Sequence, residues 1–204
     1  MRPVLIFDLS EVLIEGLYGV VEPLATRLRI PQETVLPGLG GPPLVALVEG
    51  QMSEAMYWHQ VLTRTQWSIA TDELGALARA AFQRPVPGMP ELLASLQAYR
   101  LVLLSDHGKE WWEYIEATHR FLAGFERRFL SFEMGRTKRQ VETFQHVLAE
   151  VGCAAHECLF IDDSVRNVER AESVGIRAHQ FRSVPALREW FAARGIVRVE
   201  SPAS

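Results

Sequence analysis

Asp8 follows the unbroken apolar run Val4-Leu5-Ile6-Phe7, and the pair Asp162-Asp163 follows another, Leu159-Phe160-Ile161. A third run, Leu101-Val102-Leu103-Leu104, ends on Ser105, Asp106 and His107. Lys138 closes the stretch Gly135-Arg136-Thr137-Lys138, shortly before Val141. Singly these residues also suit helix caps, turns or a surface lysine; together their types suit one kind of chemistry. A carboxylate can attack an electrophile and form a covalent intermediate. Several carboxylates together hold a hard cation such as Mg2+, while a lysine ammonium and a serine hydroxyl neutralise and cradle an anion. Position 10 breaks the pattern. A second carboxylate there would complete an acid–base pair with Asp8, but the residue is Ser10, with Glu11 beside it.

Such residues act together only if the chain delivers them to one place. Short apolar runs alternating with helical patterns predict a parallel sheet covered by helices. The clearest strands are residues 4–7, 101–104 and 159–161, with weaker ones at 129–132 and 176–181. Ligands bind beyond the carboxyl ends of the strands in an open α/β sheet, so Asp8, Ser105 and Asp162 are predicted to face one crevice. Met89, Leu92, Leu93 and Leu96 fall at helical spacing before the second strand. Val141, Phe144, Leu148 and Val151 make another such face, with Gly152 as its stop. Ser183 is expected to cap a last helix reaching Arg194 and stopped by Gly195, and the tail from Glu200 to Ser204 to fray. Residues 16–84 show no strong strand. They carry helical stretches at 53–67 and 71–82, a linker-like interruption at 37–43, and a closing Pro85-Val86-Pro87-Gly88. The expected architecture is an α/β core of residues 1–15 and 85–204, a Rossmann-like parallel sheet flanked by helices. A small all-helical cap domain, residues 16–84, is inserted after its first strand.

The 204 residues, 48% of them hydrophobic, suffice for such a core and insert. A net charge of -4 argues against a nucleic-acid surface and against a polybasic membrane patch. No apolar run approaches the roughly 20 residues that span a bilayer. The N-terminal run is broken by Asp8 and lacks a cleavage-site pattern. A cytoplasmic protein with no nucleic-acid or membrane partner is expected. Cys153 and Cys158 flank His156, but a zinc site needs about four ligands and no second cluster supplies the rest. The cysteines are expected to pack.

Taken in order, the motifs resemble the haloacid dehalogenase (HAD) superfamily over nearly the whole chain. The opening FDLSEVL and the segment FIDDSVRNVERAESVGI look most like the branch containing sugar-phosphate phosphatases and the phosphatase domain of epoxide hydrolases. The insert matches the position and size of that family's first type of cap. The resemblance implies a Mg2+-dependent hydrolase of small phosphate esters, sugar phosphates among them, working through an aspartyl-phosphate on Asp8. It implies Asp8, the backbone carbonyl of Ser10 and Asp162 as metal ligands, with Asp163 just outside them. Lys138 would hold the phosphoryl oxygens. Ser105, with the backbone N–H groups from Asp106 onward, would cradle them. Asn167 is expected to fix its loop. The implied partner is a small phosphorylated metabolite; its identity, the cap residues that select it and the oligomeric state are not legible.

Two features depart from the family. Arg139-Gln140 follows the lysine where proline and an acidic residue are common. Ser10 stands where most family phosphatases have an aspartate that protonates the leaving oxygen and then activates water, a contribution of roughly 10²–10⁴-fold. Three readings stay open. In a phosphatase, Glu11, His107 or water would take over the proton. In a phosphate- or metal-binding regulatory module, turnover would be poor. In a carbon–halogen hydrolase the halide needs no proton, although that branch usually has tyrosine at position 10 and asparagine after the serine that corresponds to Ser105. Tyr18, Trp58, His59, Lys109, Trp111 and Trp112 are weaker candidates, the tryptophans being expected to pack.

Overall fold

The computed structural model describes residues 2–197, so the tail expected to fray lies outside the described residues. Five strands form one parallel sheet in the order β3-β2-β1-β4-β5. They are β1 (Val4–Phe7), β2 (Arg100–Ser105), β3 (Arg127–Leu130), β4 (Cys158–Asp162) and β5 (Arg177–Gln180). Side chains of a strand alternate between faces, and the apolar runs separate accordingly. Leu5, Phe7, Leu103 and Ile161 join one core cluster, and Val4, Ile6, Leu104 and Phe160 the other. Burial on both faces explains why these strands read as continuous apolar runs.

Between β1 and β2 the chain runs through α1 (Val21–Leu28), α2 (Val35–Leu39), α3 (Pro42–Val48), α4 (Glu54–Thr65), α5 (Thr71–Phe82) and α6 (Met89–Ser95). The rest follow as α7 (Lys109–Thr118), α8 (Ser131–Met134), α9 (Val141–Val151), α10 (Val165–Ser173) and α11 (Val184–Ala192). Among the described residues no helix is long and apolar enough to cross a membrane. The periodic faces predicted at 71–82 and from Val141 are helices, with Gly152 closing the latter in the left-handed conformation at φ 69°. Ser183 caps α11 by accepting from the Ala186 N–H at 3.3 Å. That helix ends at Ala192, and Gly195 adopts its left-handed φ of 67° only after a further turn.

Two stretches differ from expectation. Residues 37–43 are not a linker: Pro37 to Leu39 complete α2, and Pro42 and Pro43 open α3. Proline is tolerated at a first helical turn, where its missing N–H would be unpaired anyway. The strand expected at 129–132 stops at Leu130, and Ser131 starts α8. The Ser131 side chain turns inward, donates to the Val48 carbonyl at 2.5 Å and accepts from the His107 N–H at 3.1 Å. It thereby ties α3 to the carboxyl edge of the sheet. Gly50 sits at the same seam with φ 73°, and a Cβ there would lie 2.5 Å from the Phe132 carbonyl oxygen. A second seam is aromatic, with Tyr57 and Trp58 of α4 and Phe82 of α5 packed on Trp111 of α7.

Candidate active site

Strand β1 pairs with β4 in a register that sets Phe7 opposite Ile161, and the Asp8 N–H extends the pairing to the Ile161 carbonyl at 2.9 Å. Asp8 and Asp162 therefore leave the sheet side by side. The Lys138 ammonium lies between them, 2.5 Å from Asp8 Oδ1 and 2.7 Å from Asp162 Oδ2, and is 2% exposed. Its backbone N–H also donates to both oxygens of Asp106, at 3.1 and 3.2 Å. Burial alone would pull the ammonium down, but Asp162, Asp8 and Asp106 outweigh it and hold it above its ordinary range. Lys138 stays charged.

Asp8 Oδ1 also accepts from the Leu9 N–H at 2.7 Å. Its burial drives the carboxyl well above its ordinary range; Lys138 opposes this, and Asp162 and Asp163 add to it. Burial likewise raises Asp106, against Lys138, and raises Asp163, with Asp162 adding. Four carboxylates thus share one buried lysine. Asp8, Asp162 and Asp163 each present an oxygen, and these oxygens lie within 4.8 Å of one another. Hard oxygen donors with uncompensated charge at this spacing fit a hard divalent cation such as Mg2+. Asn167 steadies the arrangement: its amide donates to both oxygens of Asp162 at 3.1 and 3.2 Å. The Ser164 N–H adds a bond to Oδ1 at 2.8 Å.

The turn after Asp8 separates the two residues weighed as substitutes for an acid–base group. Glu11 adopts the left-handed conformation at φ 61°, uncommon for a residue with a Cβ. Its Oε1 accepts from the backbone N–H groups of Gly16 and Tyr18 at 3.0 and 3.1 Å. Burial raises its carboxyl, and those two bonds oppose the rise. Gly16 is required here because a Cβ would come within 2.8 Å of both Glu11 Oε1 and Ser10 Cβ. His107 instead reaches the site: its Nε2 is 2.8 Å from the Ser10 hydroxyl. The ring is wedged between Phe82 and Trp111, with centroids 5.4 and 5.9 Å away. Burial, helped by the Lys138 charge, pushes it down to about 3. His107 is neutral near pH 7.

A cavity of about 250 Å³ opens onto these groups, lined by Asp8, Ser10, Glu11, Asp106, His107 and Asp163 together with Thr137, Arg139 and apolar side chains of the helices. Lys138 and Asp162 are buried out of its lining, and so is Ser105, whose hydroxyl has no hydrogen-bond partner among the described residues. Of the weaker candidates, Tyr18 and Trp111 line the cavity. His59 is exposed elsewhere, Trp58 donates to Glu54 at 2.9 Å and Lys109 faces Glu113 at 3.9 Å. Trp112 packs under the Arg128 guanidinium, 5.7 Å away. The two cysteines pack at the start of β4, sulfur to sulfur at 2.9 Å. Sequence reasoning missed Thr137 and Ser131. The rule that a polar residue ending an apolar run marks the site would have found Ser131, had the strand been ended at Leu130.

Comparison with known proteins identifies the family and the fold. A family model for haloacid dehalogenase-like hydrolases matches residues 3–175. A HAD family enzyme from Bacteroides thetaiotaomicron aligns with a TM-score of 0.75 and 22% identity, over 93% of this chain and 98% of that one. The same enzyme in complex with magnesium and inorganic phosphate aligns at 0.72 and 21%, over 90% and 96%. L-2-haloacid dehalogenase from Xanthobacter autotrophicus aligns at 0.67 and 17%, over 98% and 86%. At these identities the structural likeness is one of fold, and the family match carries the assignment. With its matched region running from β1 through the carboxylate cluster to the end of α10, the chain belongs to the haloacid dehalogenase-like hydrolases.

Proposed function

We propose that this hydrolase is a Mg2+-dependent phosphatase of small phosphate monoesters, with residues 16–84 as a cap over the Asp8 site. The observation that carries this reading is the convergence of the Asp8, Asp162 and Asp163 oxygens. A carboxylate attacking a phosphate dianion meets like charge, which a cation must offset, whereas displacement of a halide from carbon raises no such demand. The fold relative crystallised with magnesium and inorganic phosphate supports the same reading. Asp8, Asp162 and the Ser10 carbonyl would hold the ion, with Asp163 beside them; when bound it neutralises phosphoryl charge as a Lewis acid.

The chain's own groups divide the work. Asp8 Oδ1 is held by Lys138 and the Leu9 N–H, which leaves Oδ2 to attack phosphorus. The bond from phosphorus to the ester oxygen breaks, and the alkoxide or phenolate departs and takes its proton from solvent water. Lys138 balances the negative charge gathered at the reacting atoms. Water then attacks phosphorus, the bond from phosphorus to the Asp8 oxygen breaks, and inorganic phosphate leaves with Asp8 regenerated. We assign that water's proton to the Ser10–His107 pair: the neutral ring is free to accept it, though as a weak base, whereas Glu11 Oε1 is committed to two backbone N–H groups.

A phosphate-release assay with and without Mg2+, run beside halide release from 2-chloropropionate, tests the proposal. Mg2+-dependent phosphate release is expected, together with a rise in melting temperature on adding Mg2+, since a ligand of the native state stabilises it by linkage. That rise should be lost in Asp162→Asn. Halide release without phosphate release would replace the phosphatase by a dehalogenase.

A second prediction follows from the proton assignment. His107→Gln should slow hydrolysis of the aspartyl-phosphate by about 10²-fold, the lower end of what general base catalysis contributes. A burst of alcohol release would then precede a slow steady state. Glu11→Gln, which keeps an acceptor oxygen, should show no burst. Equal behaviour of the two variants would remove His107 from the step.

A further inference from the structure

The helices contribute a different kind of surface to the cavity from that at the strand ends. Leu17, Leu44, Val45, Val48, Phe82 and Trp111 line it, drawn from the turn after Gly16 and from α3, α5 and α7. Of the polar groups near the strand ends, Asp8 and Asp163 belong to the proposed metal site, Thr137 also lines the cavity, and three more are already engaged. Asp106 holds the Lys138 N–H, Glu11 holds two backbone N–H groups and Ser10 holds His107. Tyr18, which is 63% exposed, and the exposed Arg139 add polar groups to the lining.

Resting on the phosphatase reading, we infer that the leaving group is apolar: the substrate is the monophosphate of a one-ring phenol or hydroxyl-poor alcohol, and not of a sugar. Size agrees. A cavity of about 150 Å³ holds benzene, so the 250 Å³ here leaves room for a phosphoryl group beside one ring. Polarity decides the class. An apolar pocket disfavours an added hydroxyl by about 10²-fold, and a sugar brings several to a cavity whose helix side presents six apolar side chains, with Tyr18, Thr137, Arg139 and the Trp111 indole N–H as its few polar partners. Ser10 points the same way, because a phenol departs without the proton that a sugar alkoxide requires.

The test compares phenyl phosphate, benzyl phosphate and ribose 5-phosphate with Mg2+ present. Benzyl phosphate and ribose 5-phosphate both release primary alkoxides, so their ratio reads the polarity of the pocket; phenyl against benzyl reads leaving-group acidity. Benzyl phosphate should exceed ribose 5-phosphate in kcat/KM by about 100-fold. Calorimetric binding to Asp8→Asn, which needs no turnover, should show the same order. Val45→Asn should narrow the ratio by about 10-fold, with Leu44→Gln as the alternative should the first fold poorly. Release from ribose 5-phosphate as fast as from benzyl phosphate, and lost in Asp8→Asn, overturns the apolar assignment and leaves the phosphatase standing. No Asp8-dependent release from any of the three overturns the phosphatase, and the inference falls with it.

Discussion

Asp8→Asn should lower phosphate release by about 10⁴-fold or more, the scale on which losing the attacking group acts in covalent catalysis. The substitution is nearly isosteric, and an amide oxygen is a poor nucleophile. Folding should survive it. Lys138 keeps Asp162 at 2.7 Å and the Asp106 contact through its backbone N–H, so its charge is not stranded. Asp8 itself is a costly carboxylate, driven up by burial and by its acidic neighbours. The variant's melting temperature should therefore stay within about 4 °C of the parent's, equivalent to roughly 1 kcal/mol in a chain of this size. Activity retained above a tenth of the parent's, in a preparation free of parent protein, would remove Asp8 from the chemistry.

Lys138→Met should produce the largest loss of stability. The ammonium is the buried cation among Asp8, Asp106 and Asp162, and removing one partner of a buried pair costs about 3–5 kcal/mol because the remaining charge is uncompensated. At roughly 2–4 °C per kcal/mol the melting temperature should fall by about 6–20 °C. Methionine nearly matches the volume of the lysine stem, so the loss reads charge rather than a cavity. Mg2+ separates the two contributions. An ion drawn to the abandoned carboxylates should restore part of the lost stability, whereas a packing defect would be indifferent to it. Equal destabilisation with and without Mg2+ would sink the electrostatic account. Phosphate release should be lost in both conditions, since the reacting oxygens lose their fixed positive charge.

Much of the machinery is legible in the chain because its signals are local. An apolar run that crosses a sheet buried on both faces ends where the strand leaves the sheet, and the residue at that end is set by its neighbours in sequence. Asp8, Ser105 and Asp162 are visible for that reason, as are the periodic faces of α5 and α9. Boundaries were less legible where one side chain serves a distant partner. Ser131 ends β3 because it bonds to Val48, 83 residues away, and nothing near it in sequence records that bond. Residues 37–43 looked like a linker because glycine and proline punctuate both loops and helix starts.

What the sequence determined by itself is the order of strands and helices and the chemical types that end each strand. Only the tertiary structure decided which of those groups touch. The strand order placed β1 beside β4, so Asp8 and Asp162 share one lysine from a loop between β3 and β4. Glu11, adjacent to Ser10, was the nearer substitute in sequence, yet its left-handed backbone turns the carboxylate to the Gly16 and Tyr18 amides. His107, 97 residues from Ser10, makes the contact instead. The cavity's apolar wall was equally hidden, because Trp111 was expected to pack and nothing near Val48 or Phe82 in sequence marks them as facing a cavity. The physical reason is common to all three. Burial and periodicity are properties of a segment, whereas a hydrogen bond or a cavity is a property of distances between segments, and packing alone fixes those.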